Sequence, residues 1–354
     1  MQDGLSLAEY NIQDMSTIRL EERLYGNGPY GKLIDLNDCS PGSEINAADK
    51  ERNFKMLFEA AADGNLGRLK AFTPDSLWEP SPFEAVKPTA LHTAAANGHL
   101  HVLQHALSND ALTLNGDGGG KHPAGSTRVS EKLSTRRLLA LKDSHEALIL
   151  HYAARCATNT TIIDSIATLT GADFGREATV AALEAPDKKG LAPMHYAANA
   201  GNFEAIIALH RGGASLVPTS KYKRTPAHSA AKALTTCTAP FLKEHAACTV
   251  LKTLLKLGAA EELFAKDDDG NTPAHLACQN CERASNLRQF LEVIGHSAAA
   301  PSLVVQNNDG RTPVALALRN GKLLSSGASV VTDILGAVQL STDAEFMLIC
   351  DKKG

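Results

Sequence analysis

The stretch Asp267-Asp268-Asp269-Gly270-Asn271-Thr272-Pro273-Ala274-His275-Leu276-Ala277-Cys278-Gln279-Asn280-Cys281 reads, in that order, as a turn, a cap and a short helix. Three acidic residues and a glycine make the turn. Thr272 is a good N-cap, because its hydroxyl accepts from an orphan backbone N–H of the first helical turn. Pro273 suits the first helical position, where its missing N–H has no intrahelical partner in any case. The imidazole of His275 donates and accepts at once, which lets it tie neighbouring backbone segments together. Ala277 and Cys278 are small enough for a second helix to approach closely.

Working outward, the same order recurs. Thr89-Ala90-Leu91-His92, Leu148-Ile149-Leu150-His151, Ala192-Pro193-Met194-His195 and Thr225-Pro226-Ala227-His228 precede it, and Thr312-Pro313-Val314-Ala315 follows, with Ala315 in place of the histidine. Small-residue helices come next, closed by Gly98, Gly201 and Gly321 where a left-handed residue is needed. Apolar second helices follow, such as Glu204–Leu209 and Val250–Leu255. Phe54–Leu69 keeps the alanines and the glycine turn but lacks the Thr-Pro start, as a terminal capping unit would. A less regular second helix is expected over Ser329–Gly336.

These residues resemble the ankyrin-repeat family, whose unit of about 33 residues carries a Thr-Pro-Leu-His signature. The resemblance implies an all-α repeat solenoid of paired antiparallel helices with hairpin loops. About seven repeats fall between residues 50 and 340, after a non-repeat segment 1–49 and before a tail 341–354. It also implies a scaffold that binds a partner protein through hairpin tips and a concave face. The irregular repeats further resemble effectors of intracellular bacteria, which would place the protein in a host cytosol.

The signature positions 92, 151, 195, 228, 275 and 315 are separated by 59, 44, 33, 47 and 40 residues, so one interval alone matches the family period. The largest insertion lies around Asn109–Arg137 and contains the glycine-rich run Asn115–Ser126. Its composition predicts a mobile loop dispensable for folding. Another insertion, around Leu234–His245, falls between two helices of one repeat.

Composition narrows the function. With 35 basic and 39 acidic residues the formal charge is −4, which lacks the basic surplus of a nucleic-acid binder. No run approaches the roughly 18 apolar residues of a membrane helix, and the first residues lack the basic start of a secretory signal. Seven scattered cysteines imply no disulfide framework and a reducing compartment, so a cytoplasmic monomer is expected.

Several groups imitate chemistry. Gly116–Lys121 has the wrong spacing for a phosphate loop, and His122 stands where a Ser or Thr would hold Mg²⁺. A calcium loop centred on Gly270 would begin at Ala265 and end at Leu276, neither of them a ligand. Cys278 and Cys281 have metal-like spacing, yet they occupy small-residue positions of the repeat. His99, His101 and His105 include an i, i+4 pair, but His99 fills a Gly-His position common in the family. Neither Cys39 nor Cys350 has a histidine in its own segment to activate it. No cofactor, metal or catalytic residue is expected; the alternative is a catalytic site within residues 1–49 or the insertions.

The free positions of the repeat then define a candidate surface. Successive tips offer Lys188 and Lys189, then Lys221, Tyr222, Lys223 and Arg224, then Asp268 and Asp269. A basic ridge with one aromatic is therefore expected beside an acidic one. First-helix positions Arg155, Asn199, Lys232 and Gln279 extend this polar surface toward the same groove.

Overall fold

The computed structural model of the protein describes residues 47–114, 126–156, 160–234, 243–281, 284–295 and 305–320. Most of segment 1–49, the glycine-rich residues 115–125, most of the Leu234–His245 insertion, Gly321, the expected helix over Ser329–Gly336 and the tail lie outside the described residues.

Within them the chain is a row of helix pairs without strands. The first repeat is α1 (Ala47–Asp63) and α2 (Leu66–Leu69); the second is α3 (Ala90–Ala96) and α4 (Leu100–Leu114), followed by α5 (Ser126–Ala140). The third contains α6 (Ile149–Arg155), α7 (Thr161–Phe174) and α8 (Arg176–Leu183), and the fourth α9 (Pro193–Ala200) and α10 (Phe203–Arg211). The fifth contains α11 (Pro226–Ala233), α12 (Lys243–Lys256) and a 3-10 turn (Ala260–Leu263); the sixth α13 (Pro273–Asn280) and α14 (Ala284–Gly295); the seventh begins with α15 (Pro313–Arg319).

First helices of seven or eight residues are too short to persist alone in water, so their stability comes from packing. Each stacks on the next, from α1 through α3, α6, α9, α11 and α13 to α15. Alanine pairs make this approach possible: Ala94 and Ala95, Ala153 and Ala154, Ala197 and Ala198, and Ala230 and Ala231 are all fully buried. Cys278 takes the second alanine place beside Ala277 and is equally buried. One continuous apolar core runs from Leu57 to Ala317.

The signature histidines hold the row together. In His92, His151, His195, His228 and His275 the ring Nδ1 accepts the backbone N–H three residues upstream, at 3.0–3.2 Å. Each Nε2 is thereby left to donate, and four of them reach the next repeat: His151 to Leu191 O, His195 to Arg224 O, His228 to Asn271 O and His275 to Arg311 O, at 2.8–3.0 Å. Burial holds all five rings below the usual imidazole range, His92 and His275 at about 4. Threonine caps as expected at Thr89 and Thr312, whose hydroxyls accept from the third helical N–H. At Thr225 and Thr272 the hydroxyl bonds instead to the Nδ1 of the histidine that has taken over the capping.

The expectation of a mobile loop over Asn109–Arg137 is corrected on both flanks, since α4 continues to Leu114 and α5 begins at Ser126. The inserted helix packs against both α4 and α7. Among its described side chains the buried ones are Ser130, Ser134, Thr135 and Leu138, which carry no apolar period. Ser134 and Thr135 donate their hydroxyls to the carbonyls four residues back, so burying them leaves no orphan donor. Arg137 stacks on Trp78, 4.4 Å from the ring centroid, and pairs with the buried carboxylate of Asp110.

The hydrogen-bonded helix pairs, the signature histidines and the hairpin turns between repeats define an all-α ankyrin-repeat solenoid.

Candidate functional site

The hairpin tips of the third to seventh repeats are five-residue turns closed on themselves. Asp187 N donates to Leu191 O, Ser220 N to Arg224 O, Asp267 N to Asn271 O and Asn307 N to Arg311 O, all at 2.9–3.0 Å. The first residue's side chain staples the turn from inside. Asp187 Oδ1 accepts from Lys189 N and Leu191 N; Asp267 Oδ1 from Asp269 N and Asn271 N; Asn307 Oδ1 from Asp309 N and Arg311 N. Asp187 and Asp267 are therefore buried structural groups, and Asp267–Gly270 is the hairpin turn that its place before Thr272 requires.

Neighbouring tips are joined by main-chain bonds. Ser144 N donates to Val86 O, Lys188 N to His145 O, Lys221 N to Lys189 O, Asp268 N to Tyr222 O and Asn308 N to Asp269 O, at 2.8–3.2 Å. Such close approach explains Gly190 and Gly270: both have positive φ, and a Cβ on either would meet the next tip's backbone nitrogen at 2.6 and 2.7 Å. In the tip between them Lys223 holds a left-handed conformation, φ 53°, without being glycine.

The predicted surface residues divide into three sets. Lys188, Lys189, Lys221, Tyr222, Lys223 and Asp268 lie exposed along the tips, with Tyr222 at 55% exposure. Arg224, Lys232, Asp269 and Gln279 line one cavity of about 440 Å³, in the angle between the tips and the first helices of the fifth to seventh repeats. Arg155 and Asn199 are exposed on α6 and α9, outside that lining.

The basic and acidic ridges meet, and they partly neutralise each other. Arg224 Nε donates to Asp267 Oδ2 at 3.4 Å, and the Asp267 side chain is 1% exposed. Lys223 lies 3.6 Å from Asp268, an exposed pair of little energetic value. Arg224 also lies over the Tyr222 ring, 5.9 Å from its centroid. Arg224 is thus a structural cation, whereas Lys188, Lys189 and Lys221 keep their charge at the surface. Lys221 Nζ donates to the carbonyl of Lys188, which draws these lysines together.

The seventh tip escaped the sequence reading. Asn307, Asn308, Asp309 and Arg311 line the same cavity, joined by Asn271 and Asn280. Their signal is Thr312-Pro313, which marks a tip immediately upstream as Thr225-Pro226 and Thr272-Pro273 do.

The groups that imitate chemistry are absorbed by the fold. His99 Nε2 lies 2.7 Å from Ala62 O and His101 Nε2 2.7 Å from Gly64 O, so both rings hold the first repeat. Cys278 and Cys281 are buried, and burial pushes the Cys278 thiol up, away from reactive thiolate character. Glu262 is wholly buried under α11, where its carboxyl accepts from Ala227 N at 3.1 Å. Burial pushes this carboxyl up to about 8, which favours its protonated form. Among the described residues no group of three or more His, Cys, Asp or Glu is placed to hold a metal ion, and no helix is long and apolar enough to cross a membrane.

No protein-family model matches the chain, and no curated protein sequence matches it. Among solved structures, the crystal structure of the human ASB11 ankyrin repeat domain is similar to it at 18% identity, with a TM-score of 0.48, covering 79% of this chain and 96% of that one.

Proposed function

We propose that the protein is a non-catalytic scaffold that recognises a partner protein through its tip row and the adjoining groove. The observation that carries this reading is the combination of a rigidly bonded tip row with exposed, chemically varied side chains. Lys188, Lys189, Lys221 and Tyr222 stand on turns fixed by main-chain bonds to both neighbours. Little conformational entropy is then lost when they are engaged, and preorganisation of this kind favours affinity. A lysine row of this sort attracts an acidic partner surface and speeds encounter, while Tyr222 is of a residue type that anchors interfaces.

The irregular repeat spacing that suggested a host-directed effector is accounted for in part by the added helices α5 and α8, and it adds no weight to that origin.

The test is capture of a partner from lysate, its purification, and a titration against wild type and the triple variant Lys188→Glu, Lys189→Glu, Lys221→Glu. Arg224 is left intact because a carboxylate there would face buried Asp267. Affinity should fall by about tenfold or more at low salt, with a shallower salt dependence. Equal affinity for both proteins would remove the tip row from the interface.

A further inference from the structure

In the fourth, fifth and sixth tips the third residue carries the main-chain acceptor for the next tip. Lys189 O accepts from Lys221 N, Tyr222 O from Asp268 N and Asp269 O from Asn308 N, at 3.1–3.2 Å. The three residues therefore occupy equivalent places, and all three are exposed. Around them the charged groups are committed to one another: Arg224 to Asp267, Lys223 to Asp268 and Arg311 to Asp309. The Lys189 ammonium and the Asp269 carboxylate form no ion pair among the described residues. Tyr222 stands between them, 55% exposed, with Arg224 5.9 Å from its ring centroid. The row thus presents a cation, an aromatic ring and an anion, one on each successive tip.

We infer that this row holds a polyproline II segment of a partner polypeptide, with an acidic residue, an apolar residue three places on and a basic residue three places further. The spacing selects that conformation. Each tip runs directly into its own first helix, and stacked helices lie about 8–10 Å apart. A polyproline II helix has three residues per turn and rises about 3.1 Å per residue, so residues three apart share one face at about 9 Å. A β-strand alternates its faces, which turns the middle of the three side chains away. It would also need main-chain partners, and those of the tips are spent on neighbouring tips. Polyproline II needs none, because its backbone stays solvated. The acidic residue then meets Lys189, the apolar one packs on Tyr222, and the basic one meets Asp269, with flanking proline rings suited to the aromatic face. The face has the same spacing in both chain directions, so either order of the charges fits. This inference rests on the protein-binding reading and names the chemistry of the partner.

The full chain is titrated at low salt, by fluorescence anisotropy, with a dye-labelled, amidated peptide centred on Glu-Pro-Pro-Leu-Pro-Pro-Arg and with its reverse-order counterpart. Comparison peptides carry Glu or Arg at both charged places, shorten the spacing to Glu-Pro-Leu-Pro-Arg, or set the three residues seven apart in an alanine-rich helix. One of the two matched peptides should bind about fivefold more tightly than every comparison peptide. Lys189→Glu should switch the preference to the peptide with two arginines, and Asp269→Lys to the one with two glutamates. Both side chains are exposed, so the fold should survive, which circular dichroism verifies. Should the lysine variant fail to fold, the equally shaped Asp269→Asn should remove the preference over the two-glutamate peptide. Equal affinity for all the peptides, a preference for the helical spacing, or a preference that either variant leaves unmoved overturns the inference. The captured partner separates the two readings. If the Lys188/Lys189/Lys221 triple variant weakens it while the peptides show no preference, the tip row stands as an interface and the polyproline II segment falls.

Discussion

The second and fourth repeats share one plan and differ in what was added to it. The fourth sits at the family interval of 33 residues from the fifth and has nothing beyond its tip, α9 and α10. Ile207 on the outer face of α10 remains 40% exposed, and Phe203 is close to it in exposure. In the second repeat α4 runs on to Leu114 and is covered by α5, with Arg137 clamped between Trp78 and Asp110. His195 donates to the Arg224 carbonyl at 2.8 Å, and His92 is equally buried beside the corresponding carbonyl of Ala147. Both flanks of the long insertion became structural elements, and the stacking of the first helices continues past it.

The largest expected effect comes from protonating the rings that both repeats depend on. A ring held below 6.5 in the folded state stays neutral while the unfolded chain takes up its proton. Stability is therefore complete above about pH 6.5 and drains away as pH falls toward 4. His92 and His275, each near 4, account for about 3 kcal/mol apiece by pH 4. Urea midpoints measured across this window should fall steeply, and the His92→Leu variant, whatever its starting stability, should lose less. A flat profile between pH 6.5 and 4.5 would refute the neutral-histidine staple. Glu262 acts in the opposite sense. Its folded carboxyl is raised, so its contribution is lost as pH rises from about 4.5 through 8, and Glu262→Gln should flatten the alkaline limb.

Next in size is the clamp that separates the two repeats. Arg137→Ala leaves the Asp110 carboxylate buried without its cation and should cost about 2–3 kcal/mol, below the range of fully buried pairs because Arg137 is half-exposed. Trp78, the one tryptophan in the sequence, should report the loss by fluorescence before the rest of the array unfolds. If Arg137→Ala leaves both the urea midpoint and the emission unchanged, α5 is not part of the cooperative unit.

That helix also marks where the sequence stopped being legible. The turn, cap and histidine positions are legible because each needs a particular residue type, and the structure holds them, with the histidine taking the threonine's expected capping role at Thr225 and Thr272. The α5 segment shows no apolar periodicity because its packed side includes Ser130, Ser134 and Thr135 beside Leu138, with the Ser134 and Thr135 hydroxyls folded onto their own backbone. The tip residues were found, but their pairing was not. Whether Arg224 meets Asp267 or solvent depends on how one turn lies against the next, and Tyr152 and Tyr196 show the alternative. Each donates its hydroxyl to the tip aspartate of its own repeat, and Leu276 cannot do so for Asp267.

A smaller effect tests that tip logic. Asp267→Asn should be tolerated, because Asn307 performs the same double acceptance in the seventh tip, whereas Asp267→Ala should cost about 1–3 kcal/mol through two orphaned N–H groups. Thermal melts of the two variants should differ, and identical melts would show that the staple contributes nothing. Smallest of all, Ile207→Ser on the uncovered fourth repeat should shift stability by under about 1 kcal/mol. A larger loss would mean that the outer face of α10 is covered by something the described residues do not include.

The bonds between tips have a mechanical consequence. One main-chain hydrogen bond joins each tip to its neighbour, while the second helices meet across repeats through side chains, by packing and by the Arg211–Asp164 pair. Hydrogen bonds resist stretching along the row, but packed side chains can slide and part by small amounts. An array built this way flexes like a hinged strip, with the tips as its inextensible edge and the second helices fanning open or shut. Side chains carried on the tips then keep their spacing while the strip bends, so a partner reading them meets a ruler of constant pitch on a body that yields.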